Sequence, residues 1–280
     1  MPDGTGLQEF SKLFPQRFFD VGIAEQHAVT MAAGVAASGY RPVFAVYSTF
    51  LQRAYDQIIH DVCLPRLPVV FAIDRGGLVG ADGETHQGVF DMAMLRQIPN
   101  MTVMLPRQAQ DLVDLLAVAC QMEGPVAIRY PRGATDGQKL RPPQPVNIGR
   151  SLCLQAGEQV LLVNCGTIWD VTKDVIAQLT RAGITPTVYD LRWLKPLDPA
   201  IVRAMARHQL TVVLEEGITA GGCGSALLEA ASAAQIQPSV MLFGIPDQFV
   251  PHGSRQELLQ SLGLTGETIA TRILDKVAKM

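Results

Sequence analysis

A carboxylate stands where an otherwise apolar, small-residue helix is predicted to begin. Residues 18–39 read FFDVGIAEQHAVTMAAGVAASG, and Glu25 lies at the mouth of the helical part. Carboxylates are rarely fully buried without a partner, so Glu25 is a candidate for chemistry. Taken alone, its position is explained equally well by the helix dipole, which an acidic residue in the first turn complements by about 0.3–1 kcal/mol.

Three arginines follow predicted strands in the first half of the chain. Arg53, Arg75 and Arg132 come after the runs PVFAV, VVFAID and VAIRY, and Tyr47 and Phe50 precede Arg53. Guanidinium groups bind phosphate through paired N–H donors, so three of them at one edge of a sheet predict a phosphate-binding crevice. The alternative is that these loops are polar because they are solvated.

The loop GGLVGADGETHQG carries Asp82, Glu84 and His86 at alternate positions. Neither zinc-ligand spacing nor a calcium-loop pattern is present, and we therefore expect no metal there. A histidine in such a loop is more often a solvated surface residue than a catalyst.

A second glycine-rich stretch, LEEGITAGGCGSALLEA (214–230), lacks G-x-G-x-x-G and the P-loop lysine. A tight turn with a close subunit contact is favoured there over nucleotide binding.

Strand-like apolar runs alternate with helical segments along the whole chain. The runs in the first half are 41–48, 67–74, 101–106 and 124–131, after a short strand-like stretch RFFD, and the alternation resumes after a proline-rich stretch. Such alternation predicts α/β architecture with mostly parallel sheets. We expect two doubly wound domains, 1–135 and 150–280, joined by a linker at 136–149. Because ligands bind at the carboxyl ends of the strands in open α/β sheets, the polar residues above are expected to converge.

Composition excludes several kinds of partner. The formal net charge of the 280 residues is −3 and there is no basic run, so nucleic-acid and anionic-membrane binding lack an electrostatic basis. No apolar run reaches the roughly 18 residues of a membrane span. Five cysteines are scattered without CxxC spacing, which predicts buried thiols in a reducing compartment, and we expect a cytoplasmic protein.

Several longer motifs resemble one enzyme family. The stretches DVGIAEQHAVTMAAGVAASGYRPVFAVYSTFLQRAYDQIIHDV, FAIDRGGLVGADGETHQGVFD and AIRYPRG are similar to the pyrimidine-binding domain of the 1-deoxy-D-xylulose-5-phosphate synthase family. These synthases are transketolase-type transferases that use thiamine diphosphate. The motifs LRWLKPLD, LEEG and GIPDQFVPHG resemble the C-terminal domain of the same family. The resemblance covers nearly the whole chain.

The resemblance implies a reaction and a role for each candidate residue. Pyruvate and glyceraldehyde 3-phosphate would give 1-deoxy-D-xylulose 5-phosphate, a precursor of isoprenoids, thiamine and pyridoxal, and carbon dioxide. Glu25 would hydrogen-bond N1′ of the cofactor's aminopyrimidine, on which Phe50 would stack, and His86 would lie near the reacting centre. In a mostly apolar cleft, desolvation would suit the Glu25 carboxyl to sharing that proton. The residues that would line the acceptor aldehyde and its phosphate are Tyr47, Arg53, Arg75, Asp82 and Arg132.

The chain also departs from the family pattern. The family's Gly-Asp-Gly motif, which precedes the asparagine that helps to bind Mg²⁺ and the diphosphate, is absent, and GADG at 80–83 belongs to the acceptor loop. The sequence therefore resembles a C-terminal half, and Mg²⁺ is expected on a missing N-terminal domain. We expect a homodimer, with a separate N-terminal-half polypeptide as a further partner. Two alternatives remain open at this point: a 2-oxo-acid dehydrogenase β-like subunit and a non-catalytic dimerising fragment.

Overall fold

A computed structural model describes residues 2–133 and 139–280, so the first residues of the predicted linker, 136–138, lie outside the described part. The described residues form two five-stranded sheets. The strands are β1 (Val43–Tyr47), β2 (Val70–Asp74), β3 (Thr102–Leu105), β4 (Val126–Arg129), β5 (Leu152–Gln155), β6 (Val160–Cys165), β7 (Thr187–Asp190), β8 (Arg192–Lys195), β9 (Leu210–Ile218) and β10 (Val240–Ile245).

Helices lie between most of these strands. They are α1 (Gln8–Leu13), α2 (Glu25–Ala37), α3 (Ser48–Leu51), α4 (Tyr55–Gln57), α5 (Asp91–Arg96), α6 (Ala109–Ala119), α7 (Trp169–Arg181), α8 (Pro199–Met205), α9 (Cys223–Ala233), α10 (Arg255–Ser261) and α11 (Gly266–Val277). A 3₁₀ turn at Gln52–Ala54 and a π-helical turn at Ile58–Cys63 make 48–63 one nearly continuous helical segment.

The sheet topology confirms the predicted fold class. The first sheet has the order β1-β2-β4-β3-β8 and the second the order β10-β9-β6-β7-β5. All neighbouring strands are parallel except β8 on β3 and β5 on β7. The antiparallel β8 comes from the second half of the chain and joins the first sheet. Arg192, at φ +55°, begins β8 two residues after the end of β7, so this short stretch of chain supplies a strand to each sheet.

The central strands are buried on both faces, as continuous apolar runs require. All six residues of β6 are buried, and α7 covers the second sheet with Val171, Val175 and Leu179, spaced four residues apart. One apolar cluster contains Phe71 of the first sheet and Val213 of the second. A continuous core therefore joins the two halves.

The glycine-rich turn at 214–230 binds a carboxylate of the chain itself. The Glu215 side chain, 1% exposed, accepts hydrogen bonds from the backbone N–H groups of Cys223 (2.7 Å) and Gly224 (3.0 Å) at the start of α9. A Cβ at position 222 would lie 2.1 Å from Glu215 Oε2, so only glycine fits beside this carboxylate. The N–H groups at this helix N-terminus, which could otherwise bind an anion, thus bind a carboxylate of the chain itself.

Two local predictions are wrong. The stretch RFFD pairs with no strand in the described ranges, and its first residue, Arg17, ends a 3₁₀ turn. The thiol of Cys153 is not in the core, because β5 lies at an edge of its sheet and Cys153 is exposed there. Cys120 is half-buried, and Cys63, Cys165 and Cys223 are buried as predicted. Among the described residues, none of the helices is both long and apolar enough to cross a membrane.

Glu215 makes the stability of the fold depend on pH. Burial raises the pKa of Glu215 from its ordinary value of 4.5 to about 7. The folded protein therefore binds this proton more tightly than the unfolded chain does, and the stabilisation is lost as pH rises through about 7. We expect the free energy of unfolding to fall by up to about 3 kcal/mol between about pH 5 and pH 8 from this group.

The measurement is urea unfolding across that pH range for the wild type and Glu215→Gln. Asp190, whose pKa burial raises to about 6, titrates in both proteins and cancels in the difference. Glu215→Gln should show the shallower pH dependence. Identical pH dependence in the two proteins would contradict the assignment.

Candidate active site

Three neighbouring strands of the first sheet end at the same edge. Tyr47 is the last residue of β1, Asp74 is the last residue of β2, and Arg129 is the last residue of β4. Arg75 follows β2 directly, and Arg132 lies three residues beyond β4. The structure therefore brings the predicted arginines to one edge, as the strand order requires.

Arg75 lies at the centre of this edge. Its guanidinium carbon is 3.8 Å from the centroid of the Tyr47 ring, and Nη1 donates to Asp74 Oδ2 at 2.8 Å. The same Nη1 donates to the carbonyl oxygen of Gly4 at 2.7 Å, so the N-terminal segment also reaches the site. Burial raises the pKa of Tyr47 and of Asp74, and in both cases the Arg75 charge opposes the shift.

Asp82 connects two of the arginines. Its carboxylate lies 3.6 Å from Arg75 Nε and 2.5 Å from Arg132 Nη1. The Arg132 side chain is 46% exposed and that of Asp82 is 26% exposed, so solvent reaches this group. The two cations are held side by side with a carboxylate between them. This arrangement offers an anion two guanidinium groups, and the carboxylates of Asp74 and Asp82 oppose its approach.

Phe50 connects the remaining candidates. Its ring stacks nearly parallel to the Tyr47 ring, with centroids 5.4 Å apart, and meets the His86 ring edge-on at 5.2 Å. The Arg53 guanidinium lies 4.7 Å from the Phe50 centroid, and Arg53 Nη1 pairs with Glu25 Oε1 at 3.0 Å. Every predicted site residue thus belongs to one continuous chain of contacts: Glu25, Arg53, Phe50, His86, Tyr47, Arg75, Asp82 and Arg132.

The structure also corrects the expected surroundings of Glu25. It is the first residue of α2, as predicted, but the carboxylate faces the Arg53 cation, which the expected mostly apolar cleft did not include. The Glu25 side chain is 11% exposed and that of Arg53 is 50% exposed. This pair is therefore half solvated, and a surface ion pair of this kind contributes at most about 1 kcal/mol to stability. A ligand with its own donor can displace Arg53 with little loss of free energy.

Three residues of the site were not predicted. Asp74 pairs with Arg75, Gly4 accepts from it, and Thr85 Oγ1 lies 2.9 Å from His86 Nδ1. The Thr85 carbonyl also accepts from Thr49 Oγ1 at 2.9 Å, which holds the loop over the start of α3. An acidic residue ending an apolar strand was a usable signal for Asp74. The other two depend on loop folding that sequence spacing does not specify.

The described residues contain no group of three or more His, Cys, Asp or Glu side chains placed to hold a metal ion. The groups that the structure brings together at this edge are the carboxylates of Glu25, Asp74 and Asp82, an aromatic stack, a histidine and three arginines.

Two family models match the chain. They are "Transketolase, pyrimidine binding domain" over residues 1–138 and "Transketolase, C-terminal domain" over residues 149–269. A solved split-gene transketolase, an inactive β4 tetramer, is 30% identical, with a TM-score of 0.87 and coverage of 98% of this chain and 89% of that one. The chain belongs to the transketolase family. Its transketolase-type domains imply dependence on thiamine diphosphate.

Curated relatives indicate which members of the transketolase family the chain resembles. A 1-deoxy-D-xylulose-5-phosphate synthase from Caldanaerobacter subterraneus is 47% identical over 281 residues, which is 100% of this chain and 45% of that protein. One from Symbiobacterium thermophilum is 52% identical over 274 residues, covering 97% of this chain and 42% of the relative. The chain thus resembles the C-terminal part of these synthases and spans less than half of their length. Transketolase from Pichia stipitis, at 19% identity and a TM-score of 0.72, shares the fold over 92% of this chain and 37% of its own.

The Asp82 carboxylate should weaken anion binding at the two arginines that it joins. Asp82→Asn removes the charge that repels an anion, and we expect inorganic phosphate to bind about 3–10-fold more tightly. Isothermal titration calorimetry at low salt measures the change. Glu84→Gln is the matched control, since Glu84 is an exposed acid on the same loop and its charge is screened by solvent. Equal effects of the two substitutions would contradict a local site.

Proposed function

We propose that the chain supplies the aminopyrimidine-binding and acceptor-binding half of a 1-deoxy-D-xylulose-5-phosphate synthase. The reaction joins pyruvate and glyceraldehyde 3-phosphate to give 1-deoxy-D-xylulose 5-phosphate and carbon dioxide. One observation carries the proposal: the eight candidate residues form a single contact network at the carboxyl ends of β1, β2 and β4. The similarity to named synthases over the whole chain supports the same assignment.

The site fits the aminopyrimidine end of thiamine diphosphate. The planar Arg53 cation contacts the Glu25 carboxylate at 3.0 Å and the Phe50 ring at 4.7 Å, so one planar nitrogen-bearing group already bridges a carboxylate and an aromatic ring. The aminopyrimidine needs the same two partners. Glu25 would hold a proton at ring atom N1′, and Phe50 would stack on the ring. When bound, the cofactor supplies the electron sink for decarboxylating pyruvate.

The remaining residues face the acceptor. Arg75 and Arg132, with Arg53 once it leaves Glu25, would bind the phosphate of glyceraldehyde 3-phosphate through paired N–H donors. Tyr47 and Asp82 would position the aldehyde and its hydroxyl groups, and His86 would lie near the reacting carbon. The edge-on contact of His86 with Phe50 supports a position beside the stacked ring.

We assign the diphosphate and Mg²⁺ to a second polypeptide or segment equivalent to the N-terminal part of the relatives. Residues 1–135 would form the pyrimidine-binding domain, 136–149 the linker and 150–280 the C-terminal domain. The working protein would be a cytoplasmic homodimer of such pairs. The split-gene relative is an inactive β4 tetramer, which supports the second candidate function, a chain that assembles but does not turn over alone. A 2-oxo-acid dehydrogenase β-like role is not favoured by the relatives' names.

Glu25→Gln tests the proposal. With the N-terminal half of a relative supplied as a second polypeptide, the wild-type chain should form 1-deoxy-D-xylulose 5-phosphate, and the chain alone should not. Glutamine has the same shape but cannot share the proton with N1′, so we expect turnover to fall by about 10²–10⁴-fold with the fold intact. Product is measured by mass spectrometry and the fold by circular dichroism.

Glu267→Gln is the matched control, because Glu267 is an exposed acid in the first turn of α11, remote in sequence from the site. Glu267→Gln removes only the favourable interaction of this acid with the helix dipole, which contributes under about 1 kcal/mol to stability. Wild-type turnover by Glu25→Gln with a slightly lowered melting temperature would mean that Glu25 is a helix-start residue and nothing more. Product from the chain alone would refute the assignment of the diphosphate site to a second polypeptide.

The proposed homodimer predicts self-association of the chain. Phe19 and Ile23 are 67% and 76% exposed, and exposed apolar patches mark interaction surfaces. Sedimentation velocity at micromolar concentration should show a dimer or larger species, and Phe19→Asp combined with Ile23→Asp should weaken it. Leu64→Asp, at a residue 71% exposed elsewhere, is the control. A wild-type monomer would contradict the prediction.

A further inference from the structure

The loop that carries Asp82 and His86 has its base inside the C-terminal half of the molecule. Leu78 and Val89, which flank the loop tip, belong to the apolar cluster built around β6, β7 and β9. The carbonyl oxygen of Val89 accepts from the backbone N–H of Ile218 at 2.9 Å. Gly77 and Gly88 pair with each other across the base, with N···O distances of 2.7 and 2.8 Å. The base is therefore anchored to the C-terminal domain as well as to β4, whose Arg129 donates to the Gly88 carbonyl at 3.1 Å, and the tip reaches the site on the first sheet.

Glu216 is the buried charge that holds this base. Its side chain is 0% exposed, and Oε1 accepts from the backbone N–H of Leu78 at 2.8 Å. A Cβ at position 77 would lie 2.7 Å from the same oxygen, and Gly77 has φ +99°. The carboxylate thus approaches the loop backbone more closely than any residue but glycine allows. A buried carboxylate needs a cation, and the C-terminal domain provides one.

Arg255 is that cation, and it contacts the loop as well. Its Nε and Nη2 atoms pair with Glu216 at 3.0 and 2.5 Å, and Nη1 pairs with Asp170 at 2.7 Å. A Cβ on Gly80 would lie 3.0 Å from the backbone nitrogen of Arg255, so the loop packs directly on the start of α10. Gln87 adds a bond from Nε2 to the carbonyl oxygen of Pro251 at 3.1 Å and accepts from the Val79 N–H.

We propose that Glu216 is a positioning residue for the acceptor site, acting through the Leu78 amide and Arg255 to fix loop 76–89. Its role rests on the proposed function only as far as the loop tip binds the acceptor. The C-terminal domain then contributes to the active site, because its Glu216–Arg255 ion pair determines the positions of Asp82 and His86. Glu216 contacts the base of the loop at Leu78, and Arg255 packs on Gly80, so their effect on Asp82 and His86 passes through the loop backbone.

Hydrogen exchange of the folded chain tests the proposal without any cofactor or substrate. Glu216→Gln keeps the shape and an oxygen that can accept from the Leu78 N–H, but it loses the negative charge that pairs with Arg255 and strengthens both contacts. We expect amides within 76–89 to exchange about 10-fold faster or more, with β2 and β9 unchanged. Glu229→Gln is the matched control, because it breaks the Arg96–Glu229 pair, which also joins the two halves, at 2.6 Å but away from this loop.

Kinetics with the N-terminal half supplied separate positioning from general stability. Glu216→Gln should raise the KM for glyceraldehyde 3-phosphate about 10-fold or more and leave the KM for pyruvate unchanged, and Glu229→Gln should change neither. If Glu216→Gln does not fold, Arg255→Lys serves instead, since it keeps the charge and loses the paired geometry.

Unchanged exchange in 76–89, or equally faster exchange in all core strands, would overturn the positioning role. An unchanged acceptor KM despite a loosened loop would overturn it too. Absence of turnover in the wild-type mixture would count against the proposed function alone, and the exchange data would still decide whether Glu216 holds the loop.

Discussion

One buried guanidinium joins the parts of this molecule on which the site depends. Arg129, at the end of β4 and 1% exposed, donates to Asp91 at 2.9 and 3.0 Å, to the Gly88 carbonyl at 3.1 Å and to the Glu216 carbonyl at 2.6 Å. A charge so buried is tolerated only when its donors are paired, and removing one partner typically costs about 3–5 kcal/mol. Arg129 therefore fixes the first sheet, α5, loop 76–89 and β9 in one arrangement. The candidate site lies beside that junction, which explains how loops at a strand edge become ordered enough to bind a ligand.

Counter-charges within the chain neutralise the cations of the site. Glu25 holds Arg53, and Asp82 holds Arg75 and Arg132, so each cation has a carboxylate in place before an anion arrives. These pairs are partly solvated and individually weak, which makes them exchangeable. Binding of a phosphate or of a pyrimidine would replace one polar partner with another and would leave no buried charge unpaired. This arrangement suits the proposed function, in which the site would accept two different ligands in one reaction.

Sequence alone was sufficient for the central strands of the two sheets, and insufficient for the edge strands β5 and β8 and for the side-chain pairings. The central strands are long apolar runs, so β2, β6 and β9 were predictable. The polar residues that follow strand ends, together with the family motifs, indicated Glu25 and Arg75 as candidate site residues. The edge strand β8 was not predicted, because the short stretch that begins at Arg192 acquires a partner only through tertiary contact. Contacts between residues distant in sequence, such as Glu216 with Leu78, 138 positions apart, leave no local pattern at all. Asp74 was missed although its place at a strand end is readable.

Glu25 and Phe50 are the residues proposed to receive the pyrimidine end of thiamine diphosphate, and the rest of the functional assignment depends on them. The decisive measurement is a crystal structure of the chain with the N-terminal half of a relative, the cofactor and Mg²⁺. We expect N1′ within about 3 Å of the Glu25 carboxylate, the pyrimidine stacked on Phe50 and Arg53 turned away from Glu25. A pyrimidine bound elsewhere, with the Glu25–Arg53 pair still in place, would contradict this assignment.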